Sequence, residues 1–177
     1  MHPILTAIKD RYSPVDFQKD VLSEEELNSL FDAARRAASS FNEQPWRFIY
    51  ATKDNPEEYQ RLLDLLVPQN QEWAKRAPVL MLTVASTKSS VTGKDNIYAF
   101  HDTGMAVGNL LAQATSMGIY VHQMGGYDRE KARDNLHLPE DHAPVAMIAL
   151  GYRQPNEERK PLDRNAISSF VYKGQWS

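Results

Sequence analysis

Ser23-Glu24-Glu25-Glu26-Leu27, then Ser39-Ser40-Phe41-Asn42-Glu43-Gln44-Pro45-Trp46, then Arg47-Phe48-Ile49-Tyr50 place a helix start, a polar junction and a strand in one short run. Ser23 and Glu26 have capping-box spacing, in which hydroxyl and carboxylate satisfy early helical N–H groups. Leu27, Leu30, Phe31 and Ala34 recur at three- and four-residue spacing, which predicts an amphipathic helix to about Ala37. From Trp46 to Tyr50 bulky residues alternate, which predicts a strand leaving a turn. Between helix and strand stand two hydroxyls and two amides, Ser39, Ser40, Asn42 and Gln44.

Outward from this run, Asp54-Asn55-Pro56 opens a second helix that carries Tyr59, Leu62, Leu63 and Leu66. Val79 to Ala85 is unbroken apolar sequence, as expected of a strand covered on both faces. The polar stretch Thr87 to Asp95 reads as a mobile surface loop. A helix is expected from about Phe100 to Met117, with Gly104, Ala106, Gly108, Ala112 and Ala114 allowing another backbone to approach. Tight core packing explains such residues more often than an oligomer interface does. Ile119 to Gln123 is a short strand, followed by Gly125-Gly126, a helix from about Asp128, and a buried strand from Val145 to Leu150. From Arg153 to Ser177 charges and prolines give way to Phe170-Val171-Tyr172 and Trp176, which need some surface to cover them. With no repeat or linker, residues 1–177 form one domain of α/β or α+β class, built on a mixed sheet.

A chain of 177 residues buries a real core, and 42% hydrophobic with 24% charged residues is ordinary globular usage. A formal net charge of −3 gives no long-range attraction to nucleic acid or an anionic membrane. The sequence has no cysteine, which excludes disulfides, thiolate catalysis and thiolate metal sites. The longest apolar run, Pro78 to Ala85, is too short to span a bilayer, and Met1 to Leu5 lacks the features of a secretory signal. A cytoplasmic location is expected.

No nucleophile–base pair and no metal motif is legible. His2, His101, His122, His137 and His142 lack the spacing of a metal-binding helix. His101 and Asp102 are helix neighbours expected to point different ways. Each histidine is read as structural or solvated, with His122 the nearest to an exception because it precedes Gly125-Gly126. Arg11-Tyr12-Ser13 joins a guanidinium to a hydroxyl, a pairing able to hold a phosphate. Taken alone it reads equally as a solvated arginine beside a turn. The Ser39–Trp46 junction alone is a hydrogen-bonded loop, and Gly125-Gly126 alone is a turn.

Together these segments resemble the nitroreductase family. The family's Arg-x-Ser segment with a following Phe is matched by Arg11-Tyr12-Ser13-Pro14-Val15-Asp16-Phe17. Its Ser-Ser-x-Asn-x-Gln-Pro-Trp block runs unbroken from Ser39 to Trp46. Asp102-Thr103-Gly104, Gly108-Asn109-Leu110-Leu111 and the turn Gly126-Tyr127-Asp128 follow in order, so the resemblance covers nearly the whole chain.

The resemblance implies an α+β fold, with a mixed, mainly antiparallel central sheet flanked by helices, in an intertwined homodimer. It implies two FMN sites at the subunit interface and a C-terminal extension that reaches the other subunit. Arg11 and Ser13, with Tyr12 between them, would hold the FMN phosphate and ribityl end, and Ser39, Ser40 and Asn42 would reach the same FMN from the other subunit. Asn70 would meet the pyrimidine edge, and Gly125 and Gly126 would lie against the isoalloxazine, with a backbone N–H toward N5. The family's basic tail residue maps onto Arg164, with Arg159 and Lys160 as rivals. No residue is expected to act as catalyst or metal ligand, because the flavin carries the chemistry. NAD(P)H would donate hydride and a nitroaromatic, quinone or similar acceptor would take it, in ping-pong turns. The alternatives are enone reduction, dehalogenation or flavin breakdown on the same fold, or a non-catalytic flavin-binding redox protein. Val15 departs from the pattern, since many relatives place Arg or Lys there to face the flavin N1–C2 carbonyl edge. The sequence names neither the acceptor nor the preferred nicotinamide.

Overall fold

A computed structural model describes residues 2–156 and 162–176. In chain order the elements are α1 (Thr6–Lys9), α2 (Glu24–Ala34), β1 (Trp46–Thr52), α3 (Pro56–Leu63), α4 (Pro68–Ala74), β2 (Val79–Ser86), α5 (Ala99–Ser116), β3 (Tyr120–Met124), α6 (Arg129–Asn135) and β4 (His142–Gly151). The strands form one sheet in the order β1-β2-β4-β3. Every pairing is antiparallel, so the expected mixed, mainly antiparallel sheet narrows to a wholly antiparallel one among the described residues.

Helices lie on both faces, which explains the almost wholly apolar run of β2. Leu80, Leu82 and Val84 enter a core with Phe17, Tyr59, Leu62, Met124 and Met147, whereas Val79 and Met81 enter a second core with Leu30, Trp46, Leu110 and Ile148. Side chains alternate across a strand, so a strand with two cores needs apolar residues at every position. The polar exception among its buried positions is satisfied in place. Buried Thr83 donates from Oγ1 to the Ala146 carbonyl at 3.0 Å and accepts the Ala146 N–H at 3.1 Å, where the register shifts.

The predicted elements stand within a few residues of their expected ends. The capping box at Ser23 is complete, with Ser23 N–H to Glu26 Oε2 at 2.8 Å and Glu26 N–H to Ser23 Oγ at 3.2 Å. Asn55 caps α3 and Asp128 caps α6. Two helices, α1 and α4, were not anticipated. Each is under two turns or nearly so, too short for a periodic pattern to register.

The stretch Thr87 to Asp95 was expected to be a mobile loop, yet it is closed by its own bonds. Ser89 N–H reaches the Lys94 carbonyl at 2.8 Å, Asn96 N–H reaches the Thr87 carbonyl at 2.8 Å, and Thr92 N–H reaches Ser89 Oγ at 3.0 Å. Among the described tail residues, Ile167, Phe170, Val171 and Trp176 are exposed, and the rings of Tyr172 and Trp176 pack on each other at 4.5 Å. Their own chain does not cover them. No helix among the described residues is long and apolar enough to cross a membrane.

Candidate functional site

Apart from Arg164, the site residues expected from the sequence fall into two groups. The first gathers around α4 and the end of β3. Arg11 Nη1 donates to Ser13 Oγ at 2.9 Å, so guanidinium and hydroxyl are already joined, with Tyr12 half-buried between them. The segment behind them is pinned from two sides. His122 Nδ1 lies 2.8 Å from the Pro14 carbonyl, which makes Nδ1 the donor, and its ring stacks on Trp73 at 4.4 Å. Arg76 donates from Nη2 to the Val15 carbonyl at 2.9 Å and pairs through Nε with Asp16 at 2.9 Å. Val15 therefore has a cation beside it, supplied from just beyond α4, but Asp16 already pairs with that charge.

Asn70 stands one helical turn before Trp73 on α4. Its Nδ2 donates to the Gly126 carbonyl at 3.1 Å, and the Val67 N–H reaches the same carbonyl at 3.1 Å. A side-chain amide with its nitrogen so committed keeps its oxygen as an acceptor. Gly126 is packed hard against this contact, since a Cβ there would lie 2.9 Å from Asn70 Nδ2 and 3.0 Å from Val67 Cγ2. Gly125 has open space around it. The end of α4 is held from behind by Tyr59, whose hydroxyl lies 2.7 Å from the Ala77 carbonyl and 3.1 Å from that of Ala74. Burial raises the Tyr59 phenol well above its ordinary pKa, so it stays a donor. The neighbouring Tyr127 phenol is likewise raised by burial, partly opposed by Arg129, and its hydroxyl has no partner among the described residues.

The second group is the junction before β1. Ser40 to Asn42 form a 3-10 turn, and Phe41, Asn42 and Gln44 all have left-handed backbone, at φ 52, 56 and 48. Left-handed backbone costs on the order of 1–2 kcal/mol per ordinary residue, and asparagine tolerates it best. Three such residues in four persist only where the surroundings over-determine them. Gln44 N–H reaches Ser39 Oγ at 3.1 Å, Ser40 N–H reaches Asp102 Oδ2 at 2.9 Å, and the Glu43 carboxylate accepts from Ser89 Oγ and, at 3.2 Å, from Asn96 Nδ2. Phe41 is 81% exposed. Beside this loop, Ala38 to Phe41, Tyr98, His101, Asp102 and Met105 line a cavity of about 410 Å³.

His101 and Asp102 do meet, contrary to the sequence expectation. His101 Nδ1 lies 2.9 Å from Asp102 Oδ1. Their Cα–Cβ bonds diverge, as helix neighbours must, but a carboxylate has two oxygens and the long imidazole reaches the outer one while Ser40 takes the other. Among the described residues no group of three or more His, Asp or Glu could hold a metal ion. Arg164 is exposed and makes no hydrogen bond or ion pair with another described residue. Arg159 and Lys160 lie outside the described residues.

The groups sit at opposite edges of the sheet but at the same end. Trp46, the first residue of β1, pairs with Ala85, which pairs with Ala143, and Met124, the last of β3, pairs with Met147. Three inter-strand steps separate the edges, roughly 14 Å. Of the residues singled out in the sequence, the structure places Arg11, Ser13, Asn70 and Gly126 around the first group and Ser39, Ser40 and Asn42 in the second; Trp73, Arg76 and Glu43, which support them, were not singled out. Asp102 was read as part of a motif and as a helix neighbour of His101, not as a support for Ser40, and nothing local marks Trp73 or Arg76.

The sequence and the fold are matched in other proteins. Residues 8–71 and 64–152 match the model of the nitroreductase family. The chain is 26% identical over 197 residues to a protein named NADH dehydrogenase from Thermus thermophilus, covering 94% of this chain and 93% of that one. It is 22% identical over 186 residues to FMN reductase [NAD(P)H] from Bacillus subtilis, covering 95% and 73%. A crystal structure of an oxidoreductase containing FMN superposes with a TM-score of 0.91 at 30% identity, covering 99% of this chain and 94% of that one. A family model matched across both groups and the sheet that separates them leaves one conclusion: the chain belongs to the nitroreductase family.

Proposed function

We propose that two copies of this chain enclose two FMN molecules and pass electrons from NADH or NADPH to flat, electron-poor acceptors such as nitroaromatics or quinones. One observation carries the reading: the ligand-directed residues form two incomplete halves at opposite edges of one sheet. A two-fold pairing of identical chains brings the first half of one copy against the second half of the other, twice over. The relatives named for FMN and NAD(P)H support the choice of cofactor and donor.

The residues suit FMN chemically. Arg11 and Ser13 offer a joined cation and hydroxyl to the phosphate end, with Arg164 as a further cation from the tail. The Asn70 oxygen, left as acceptor by the bond to Gly126, suits an imide N–H on the pyrimidine edge. Gly125 and Gly126 let a flat ring approach the backbone, and Ser39, Ser40 and Asn42 of the second copy close the other side. FMN supplies the hydride chemistry when bound, so the chain supplies position, exclusion of water and charge around it. One ring face serves both donor and acceptor, so turnover is ping-pong. The exposed Ile167, Phe170 and Trp176 of the tail are covered by the second copy.

A fluorescence-quenching titration with FMN tests the reading, with one FMN per chain expected. Protein that leaves FMN fluorescence unchanged ends it. Double-reciprocal plots at several acceptor concentrations should be parallel, and intersecting lines would replace ping-pong with a ternary complex. Val15 favours a second reading, a flavin-binding redox protein without turnover, because the cation beside it is paired with Asp16. Steady-state oxidation of NADH or NADPH separates the two.

A further inference from the structure

We propose that Asp102 is a positioning residue for the cofactor-facing loop, fixing the left-handed turn at Phe41 to Gln44 through the N–H of Ser40. The consequence for FMN affinity rests on the function proposed above. The positioning itself does not.

The ties that hold this loop differ in what stands behind them. The Gln44 N–H to Ser39 Oγ bond, at 3.1 Å, closes the loop on itself. The Glu43 carboxylate ties it to Ser89 and Asn96, in a surface loop closed by its own bonds. The Ser40 N–H to Asp102 Oδ2 bond, at 2.9 Å, anchors the entry of the loop on a buried side chain, because Asp102 is 3% exposed on the first turn of α5, whereas the exit is held by the exposed Arg47 side chain, whose Nη1 donates to the Gln44 carbonyl at 3.0 Å. Ser39 arrives in extended backbone, at φ −146 and ψ 155, and Phe41 leaves at φ 52. Ser40 is thus the residue at which the chain reverses hand, and its N–H is where a fixed acceptor sets the direction of the turn.

Burying a carboxylate is unfavourable unless both oxygens are hydrogen-bonded. Here one oxygen takes the Ser40 N–H and the other lies 2.9 Å from His101 Nδ1. An acceptor-only carboxylate requires the proton on His101 Nδ1. The arrangement is satisfied, held on a long helix and aimed at one backbone amide of the strained segment, which is what positioning requires.

The test compares Asp102→Ala and Asp102→Asn in the full chain. Asparagine can keep its oxygen on the Ser40 N–H and turn its amide toward His101, whose ring then carries its proton on the other nitrogen. In Asp102→Ala, FMN binding should weaken about tenfold or more, and the Ser40 amide should exchange with solvent much faster by NMR. In Asp102→Asn, affinity should stay within about threefold and the Ser40 amide should remain protected. Equal affinity of wild type and Asp102→Ala would overturn the proposal, as would Asp102→Asn as weak as Asp102→Ala. So would a wild-type Ser40 amide that exchanges like an exposed loop amide, a measurement that needs neither variant nor FMN. Failure of the wild type to bind FMN would instead count against the proposed function and leave the exchange result standing.

Discussion

The two halves of the candidate site are built on opposite principles. Around Asn70 and Gly126 the backbone is relaxed, and rigidity comes from packing: two donors share the Gly126 carbonyl, Tyr59 braces the end of α4, and Trp73 stacks on His122. Around Ser40 to Gln44 the backbone is strained, packing is slight, and shape is imposed by a few hydrogen bonds. A packed half should lose function when a group is made too large. A strained half should lose it when a hydrogen bond is removed, and should gain stability when the strain is relieved.

The largest effect tests whether the halves serve different cofactors. Arg11→Ala and Asn42→Ala should each lose FMN affinity, by tenfold or more for a buried polar contact. Mixed after proven subunit exchange, at FMN too dilute to load either variant alone, the two proteins should regain activity if one intact site forms per heterodimer. No recovery would place both residues on one site. Next, truncation before Phe170 should destabilise the protein and the proposed dimer, since the exposed apolar tail residues are argued to be covered by a second copy. A truncated chain that sediments as a stable, flavin-loaded dimer would remove the tail from the interface.

Gly126→Ala probes the packed half. Its Cβ would meet Asn70 Nδ2 at 2.9 Å, so the amide must move and FMN affinity should fall several-fold while the fold survives. Phe41→Gly probes the strained half. Glycine accepts φ 52 freely and little packing is lost at 81% exposure, so melting of the FMN-free protein should rise by the equivalent of about 1 kcal/mol while FMN binding weakens. A fall in both would mean that Phe41 is a packing residue.

The smallest effect lies outside both halves. The Tyr152 hydroxyl and the Ser23 N–H hold the Glu26 carboxyl below its usual pKa, while Glu26 pushes the Tyr152 phenol up to about 12. A lowered carboxylate stabilises above its unfolded pKa, and that contribution is lost as pH falls through the folded value. A raised phenol stabilises below its unfolded pKa, and that contribution is lost as pH rises toward about 12. Glu26→Gln should therefore lower stability slightly around neutral pH, where both contributions are present, and converge on the wild type at low and at high pH, which denaturant titrations at several pH values would check.

What the sequence determined by itself is what depends on neighbours along the chain. Ser23 and Glu26, Asn55 and Pro56, and Asp128 mark helix starts because capping is settled within four residues. The apolar run of β2 announced a strand with two buried faces, because each side chain reports its own environment. The Arg11 and Ser39–Trp46 blocks were legible as motifs. Only the tertiary structure decided that the sheet is wholly antiparallel, since strand direction depends on partners far away in sequence. It alone found α4, a helix of seven residues held by Tyr59 and Gly126 from outside. It also joined His101 to Asp102 and Asp102 to Ser40, across 62 residues of chain. Local spacing cannot foresee such a bond, because what brings its ends together is the packing of everything between them.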